Sequence, residues 1–106
     1  NKNEKKISVT ALITNKYKSK NLLIFEDFKK EINKTKEMYI ILKKFESTDA
    51  LLILDINSKK NIYRSLKNIP NVKVTDVNHF SSYDLLKYNK VIFTETSIKE
   101  LEKKYE

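Results

Sequence analysis

Apolar residues cluster in four short runs along this chain: Leu22-Leu23-Ile24-Phe25, Leu51-Leu52-Ile53-Leu54, Val72 to Val77, and Val91-Ile92-Phe93. Three of them are nearly continuous rather than alternating, the pattern of parallel strands covered on both faces. Between the runs, apolar positions recur at helical spacing. Met38, Ile41, Leu42 and Phe45 fall at i, i+3, i+4 and i+7 behind Thr35, a residue suited to cap a helix N-terminus. Ile62, Tyr63 and Leu66 follow Asn57 and Ser58. Leu85-Leu86 follows Ser81-Ser82, and Ile98, Leu101 and Tyr105 follow Thr94-Glu95-Thr96-Ser97. Strand alternating with helix predicts an α/β fold, a parallel sheet of about four strands flanked by helices and joined by right-handed crossovers.

Residues 5–20 fit two patterns. Ile7, Val9, Ala11 and Ile13 alternate like a strand, whereas Val9, Leu12, Ile13 and Tyr17 approximate a helical stripe, and periodicity leaves both open. Asn33-Lys34 and Asn89-Lys90 read as short connectors. No repeat, linker or boundary is visible, so residues 1–106 read as a single domain.

Composition narrows the chemistry. An apolar content of 40% over 106 residues suffices for one core without staples. The absence of cysteine excludes disulfides and thiolate metal sites, and the lone His79 makes no zinc site by itself. The absence of glycine removes the dinucleotide fingerprint and the P-loop, whose backbones must approach phosphate more closely than side chains permit. Nucleotide enzymes of those two kinds are therefore not expected, and the expectation is a chain with no cofactor, metal or small-molecule substrate. No apolar run approaches the ~20 residues of a membrane span, and Asn1 to Lys6 lack the apolar stretch of a signal peptide. The expectation is a soluble intracellular or organellar protein with no membrane partner. Of the 22 basic residues all but Arg64 are lysine, which fits an AT-rich coding sequence better than a structural demand.

The net charge of +8 is unevenly spread. Residues 1–20 carry six lysines and one acid, residues 57–74 carry five basic groups and no acid, and the remainder carry 11 basic against 13 acidic groups. Two basic blocks suggest a polyanion footprint, because neutralising phosphates releases counterions. Charge alone fits solvated lysine faces equally well.

Acids mark the strand ends: Glu26 and Asp27, Asp55, Asp76, and Glu95. Ligands of open α/β sheets sit at that edge, and clustered carboxylates there resemble the Mg²⁺ pocket of a phospho-receiver domain. Acids that begin helices also complement the helix dipole with no further function, and this reading ranks first. His79, beside Phe80, reads as a loop residue. Tyr17, Tyr39, Tyr63, Tyr83, Tyr88 and Tyr105 have rings that stack on bases in single-strand readers, but at helical spacing beside Leu and Ile they read first as core or half-buried residues.

Several segments together resemble one family. Ser65-Leu66-Lys67-Asn68-Ile69-Pro70-Asn71-Val72 is similar to the arginine-asparagine-leucine-proline-glycine-valine segment of the bacterial and organellar ribosomal large-subunit protein four, the universal "L-four" family. Tyr83-Asp84-Leu85-Leu86-Lys87-Tyr88-Asn89-Lys90-Val91-Ile92-Phe93-Thr94 resembles its Asp-Leu-Leu-basic segment, which leads into an apolar strand ending in Thr. Lys34-Thr35-Lys36 resembles a Lys-Thr-Lys at a helix start. The likeness covers residues 5–105 in order and corresponds to the family's C-terminal part.

The resemblance implies a Rossmann-like domain seated on large-subunit rRNA beside neighbouring ribosomal proteins, in a bacterial or organellar ribosome, with a structural and assembly role and no catalysis. It also implies a helix over residues 5–20. Nothing here matches the family's Gly- and Arg-rich loop. Lys67 stands where the family has arginine, keeping the charge but losing the planar fork. Asn71 stands where it has glycine, and Asn is the next most tolerant residue of positive φ. Pro70 reads as the helix stop before the strand. The rRNA contacts expected from charge and resemblance together are Lys16, Lys18, Lys20, Lys34, Lys36, Lys59, Lys60, Arg64, Lys67 and Asn68.

Overall fold

A computed structural model describes residues 2–104, with side chains from Val9 onward. The side chain of Ile7 and all of Tyr105 lie outside the described residues. Helix α1 (Lys2–Lys18) leads into β1 (Leu22–Phe25), followed by α2 (Thr35–Lys44), β2 (Ala50–Leu54), α3 (Ile56–Leu66), β3 (Val72–Asp76), α4 (Ser82–Lys87), β4 (Lys90–Thr94) and α5 (Glu95–Lys104). The strands form one four-stranded sheet in the order β1-β4-β2-β3, every neighbouring pair parallel. The expected α/β sheet is present, and the ambiguous segment 5–20 is helical as far as Lys18.

Strand side chains alternate between faces, and the sheet divides the apolar residues accordingly. On one face Leu51, Ile53, Val91 and Phe93 pack with Val9 of α1, Leu85 of α4 and Leu101 of α5. On the other, Ala50, Leu52, Leu54 and Ile92 pack with Met38 and Leu42 of α2 and Ile62 and Leu66 of α3. The central strand β2 is buried at every position, which is why its sequence runs apolar without alternation.

Local signals place most helix starts. Ser81 caps α4 in a reciprocal capping box with Asp84. Asp55, rather than Asn57 or Ser58, caps α3, its side chain accepting from the Ser58 amide. Thr35 is not the cap of α2: Lys34 takes that position without a side-chain bond, and Thr35 is the first helical residue.

With no glycine available, three of the described residues take positive φ: Lys20 at 63°, Glu46 at 53° and Asn71 at 63°. Lys20 and Glu46 close helices. The amides of Asn21 and Ser47 reach back to the carbonyls of Lys16 and Leu42, each at 2.8 Å, in the pattern that usually ends on glycine. Asn71 follows Pro70 and turns the chain into β3. Asn71→Gly is expected to be neutral or slightly stabilising, whereas Asn71→Val should cost on the order of 1–2 kcal/mol, since a β-branch clashes at positive φ. Thermal unfolding of the three forms checks this, and equal melting temperatures would remove the steric account.

Candidate nucleic-acid interface

Parallel strands joined through helices give the sheet two unlike edges. Every strand starts at one edge, the amino edge, with Ala50, Val72 and Lys90 in register and Leu22 opposite Val91. The helix before each strand must therefore end there. Helices favour cations in their last turn, where the dipole is negative, and all four obey, with Lys16 and Lys18 in α1, Lys43 and Lys44 in α2, Arg64 in α3 and Lys87 in α4. Lys20, Lys67 and Lys90 join them from the connecting turns and the start of β4. Eight lysines face two carboxylates, Glu46 and Asp49, in this region. The carboxyl edge is the reverse, with Glu26, Asp27, Glu31, Glu37, Asp55, Asp76, Asp84 and Glu95 against Lys29, Lys30, Lys34, Lys36, Lys59 and Lys60. The charge of the domain is thus polarised along the strand direction.

This arrangement redistributes the residues that the sequence suggested. Helices α1 and α3, which carry the two basic blocks, lie on opposite faces of the sheet. Only their C-terminal ends converge, bringing exposed Lys18 and Lys20 to the same edge as exposed Lys67 and Asn68. Three strand spacings, roughly 14 Å, separate β1 from β3 along that edge. Lys34, Lys36, Lys59 and Lys60 stand toward the carboxyl edge. Arg64 is exposed in the last turn of α3.

Two of the suggested lysines have internal partners. The Lys16 ammonium donates to the carbonyls of Tyr88 at 2.6 Å and Asn89 at 2.9 Å, tying the end of α1 to the turn before β4. Burial pulls its pKa below the ordinary lysine value, with Asp49 opposing. Lys59 pairs with Asp76 at 3.4 Å. Lys43, Lys44, Lys87 and Lys90 were missed by sequence reasoning because they are scattered along the chain. The signal that finds them is a lysine in the last turn of successive helices that feed one parallel sheet.

The three aspartates at the strand ends are bonded within the fold. Asp55 accepts from the Thr94 hydroxyl at 2.6 Å and the Ser58 amide at 3.2 Å, locking the end of β2 to the end of β4. Asp27 accepts from the amide and hydroxyl of Thr96, joining the loop after β1 to the start of α5. Asp76 accepts from the Asn78 amide and lies 2.7 Å from Nδ1 of His79, which is an exposed turn residue. Among the described residues no group of three His, Asp or Glu side chains stands where it could hold a metal ion. Nor is any described helix long and apolar enough to cross a membrane.

Burial pushes the Asp55 carboxyl up, but the hydrogen bonds from Thr94 and Ser58 outweigh it and hold the pKa below the usual carboxylate value. A depressed folded-state pKa contributes stability that is complete above the unfolded value of ~3.9 and lost as pH falls through the folded one. Asp55→Asn should therefore lower the melting temperature near neutral pH and flatten its decline on the acid side. An acid limb as steep as that of the unaltered chain would assign the pH response elsewhere.

Two tyrosines are less buried than the sequence suggests. Tyr88 is buried, but Tyr17 is 72% and Tyr83 67% exposed, and Tyr39 and Tyr63 also show much of their rings to solvent.

Comparison with known proteins places these features in a family context. The model of the "Ribosomal protein L4/L1 family" matches residues 1–104. The chain is 63% identical over 105 residues to the large ribosomal subunit protein uL4 of Pelagibacter ubique (strain HTCC1062), covering 99% of this chain and 51% of that protein. It is 36% identical over 104 residues to the large ribosomal subunit protein uL4 of Clostridium botulinum (strain Okra / Type B1), covering 98% of this chain and 50% of that relative. The chain thus spans about half the length of the curated relatives it matches.

Proposed function

The chain belongs to the ribosomal protein L4/L1 family, and on that premise we propose that it is a structural constituent of the large ribosomal subunit that holds rRNA through the amino edge of its sheet. The observation that carries this reading is the concentration of lysines at that edge, against the mixed charge of the opposite one. Lysine ammoniums on flexible stems suit phosphate neutralisation, and releasing condensed counterions supplies the affinity. Such contacts position a folded RNA without reading its sequence. Lys18, Lys20, Lys43, Lys44, Lys67 and Lys87 are the exposed members of the set, and Asn68 adds a neutral donor beside them. Lys16 ties the end of α1 to the turn before β4 through two of its three N–H donors.

The role is one of binding and support rather than catalysis. Large-subunit rRNA and neighbouring ribosomal proteins are the partners, and the bacterial relatives favour a bacterial ribosome. Residues 1–106 act as one rRNA-binding domain. Binding to a large-subunit rRNA fragment should weaken steeply with salt, by about 0.9 in the slope of log K against log salt for each duplex phosphate neutralised. Folded RNA should be preferred over poly-A, since A-form helices are recognised by shape. Equal binding of both RNAs would reduce the interaction to generic lysine electrostatics.

A further inference from the structure

One groove on the outer side of α3 differs in character from the lysine edge. It is an open depression of about 560 Å³ lined by Ile56, Lys59, Lys60, Tyr63, Arg64 and Asp76. Clefts that receive small ligands run from about 300 to 1,000 Å³. The core of α3 is satisfied without its outer apolar residues: Ile62 and Leu66 are fully buried, whereas Tyr63 is 47% and Ile56 72% exposed. The carboxylate in the groove is already matched, since Asp76 pairs with Lys59 at 3.4 Å and lies against His79. Among the described residues Lys60 and Arg64 have no acidic partner. The groove therefore combines an open aromatic ring with two unmatched cations.

We propose that this groove takes one unpaired RNA nucleotide, its base stacked on the Tyr63 ring with Ile56 beneath it, and the adjoining phosphates on Lys60 and Arg64. This rests on the rRNA-binding reading and adds a ligand class to it: a splayed single-stranded residue, distinct from the helical phosphates at the amino edge. The chemistry fits because every base has a π-face that stacks on an aromatic ring, and a guanidinium beside it serves both phosphate and stacking. An apolar peptide would leave both cations unmatched, and a duplex would present no free base to the ring.

Two probes test the assignment: an RNA hairpin with a short unpaired loop, and a blunt duplex of the same stem. Tyr63→Ala should weaken binding of the loop probe by roughly 5- to 100-fold and leave the duplex unchanged, while Tyr63→Phe should bind both as the unaltered chain does. With 4-thiouridine in the loop, photocrosslinking should attach RNA to the peptide that contains Tyr63. Stacking is overturned if Tyr63→Ala weakens both probes equally or neither, with the rRNA-binding reading left intact. If the unaltered chain binds neither probe, both proposals fall.

Discussion

Reversing three lysines of the amino edge together, Lys20→Glu, Lys44→Glu and Lys67→Glu, is expected to weaken binding of a large-subunit rRNA fragment by more than about a hundredfold. Even at about 1 kcal/mol for each lost charged contact, three contacts amount to that factor. The salt slope should fall by about 2.7 units, following the three phosphates no longer neutralised. A control separates place from sum. Lys29→Glu, Lys30→Glu and Lys99→Glu change the net charge equally, but the first two lie in the loop after β1 at the carboxyl edge and the third in α5. The control should retain most of the affinity, because at physiological ionic strength charges farther from the RNA than about 8 Å are screened. Equal losses from both triple variants would show that only total charge matters, and the edge assignment would be wrong.

The second large effect concerns stability. Phe93 is fully buried in β4, within the cluster that joins α1, α4 and α5 to the sheet. Phe93→Ala removes its packing and leaves a cavity, which should cost about 3–5 kcal/mol. Domains of this size are stable by about 5–15 kcal/mol in total, so the variant should lose a large fraction of its stability and melt well below the unaltered chain. Ile24, 53% exposed on the edge strand β1, provides the contrast. Ile24→Ala should change stability by less than about 0.5 kcal/mol. Denaturant titration of the two variants measures the difference. Similar midpoints would mean that the Phe93 site collapses around the smaller residue.

The sheet was legible in the sequence because burial on both faces leaves continuous apolar runs, as in Leu51 to Leu54. The first helix was not legible from periodicity. Val9, Leu12 and Ile13 are its main packing residues, and Val9, Ala11 and Ile13 also fit a strand. Only the family resemblance selected helix there. Thr35 misled because its residue type suits a cap, while the backbone at Lys34 is the one that turns. The positive φ of Asn71 was legible because Asn stands where the resembled family has glycine, and it is the next most tolerant residue of that region. The candidate interface was legible only in part. Charge counted along the chain finds blocks, and a sheet edge gathers residues from segments far apart, so Lys44 and Lys87 come beside Lys20 only once strand order and direction are known.

The position of β4 also constrains how the chain reaches its folded state. It is the last strand in the sequence, yet it lies inside the sheet between β1 and β2. Until Val91, Ile92 and Phe93 leave the ribosome that synthesises them, β1 has no partner strand, and its pairing waits for residues nearly seventy positions later. The β2–β3 pair needs no later residue, whereas both the β1 and β2 edges that flank β4 stay without their partner until it arrives. Insertion of β4 completes both core clusters, since Val91 and Phe93 belong to one and Ile92 to the other. It also draws the last turn of α1 toward the ends of α2 and α3, so the amino-edge lysines come together only after translation has passed Thr94.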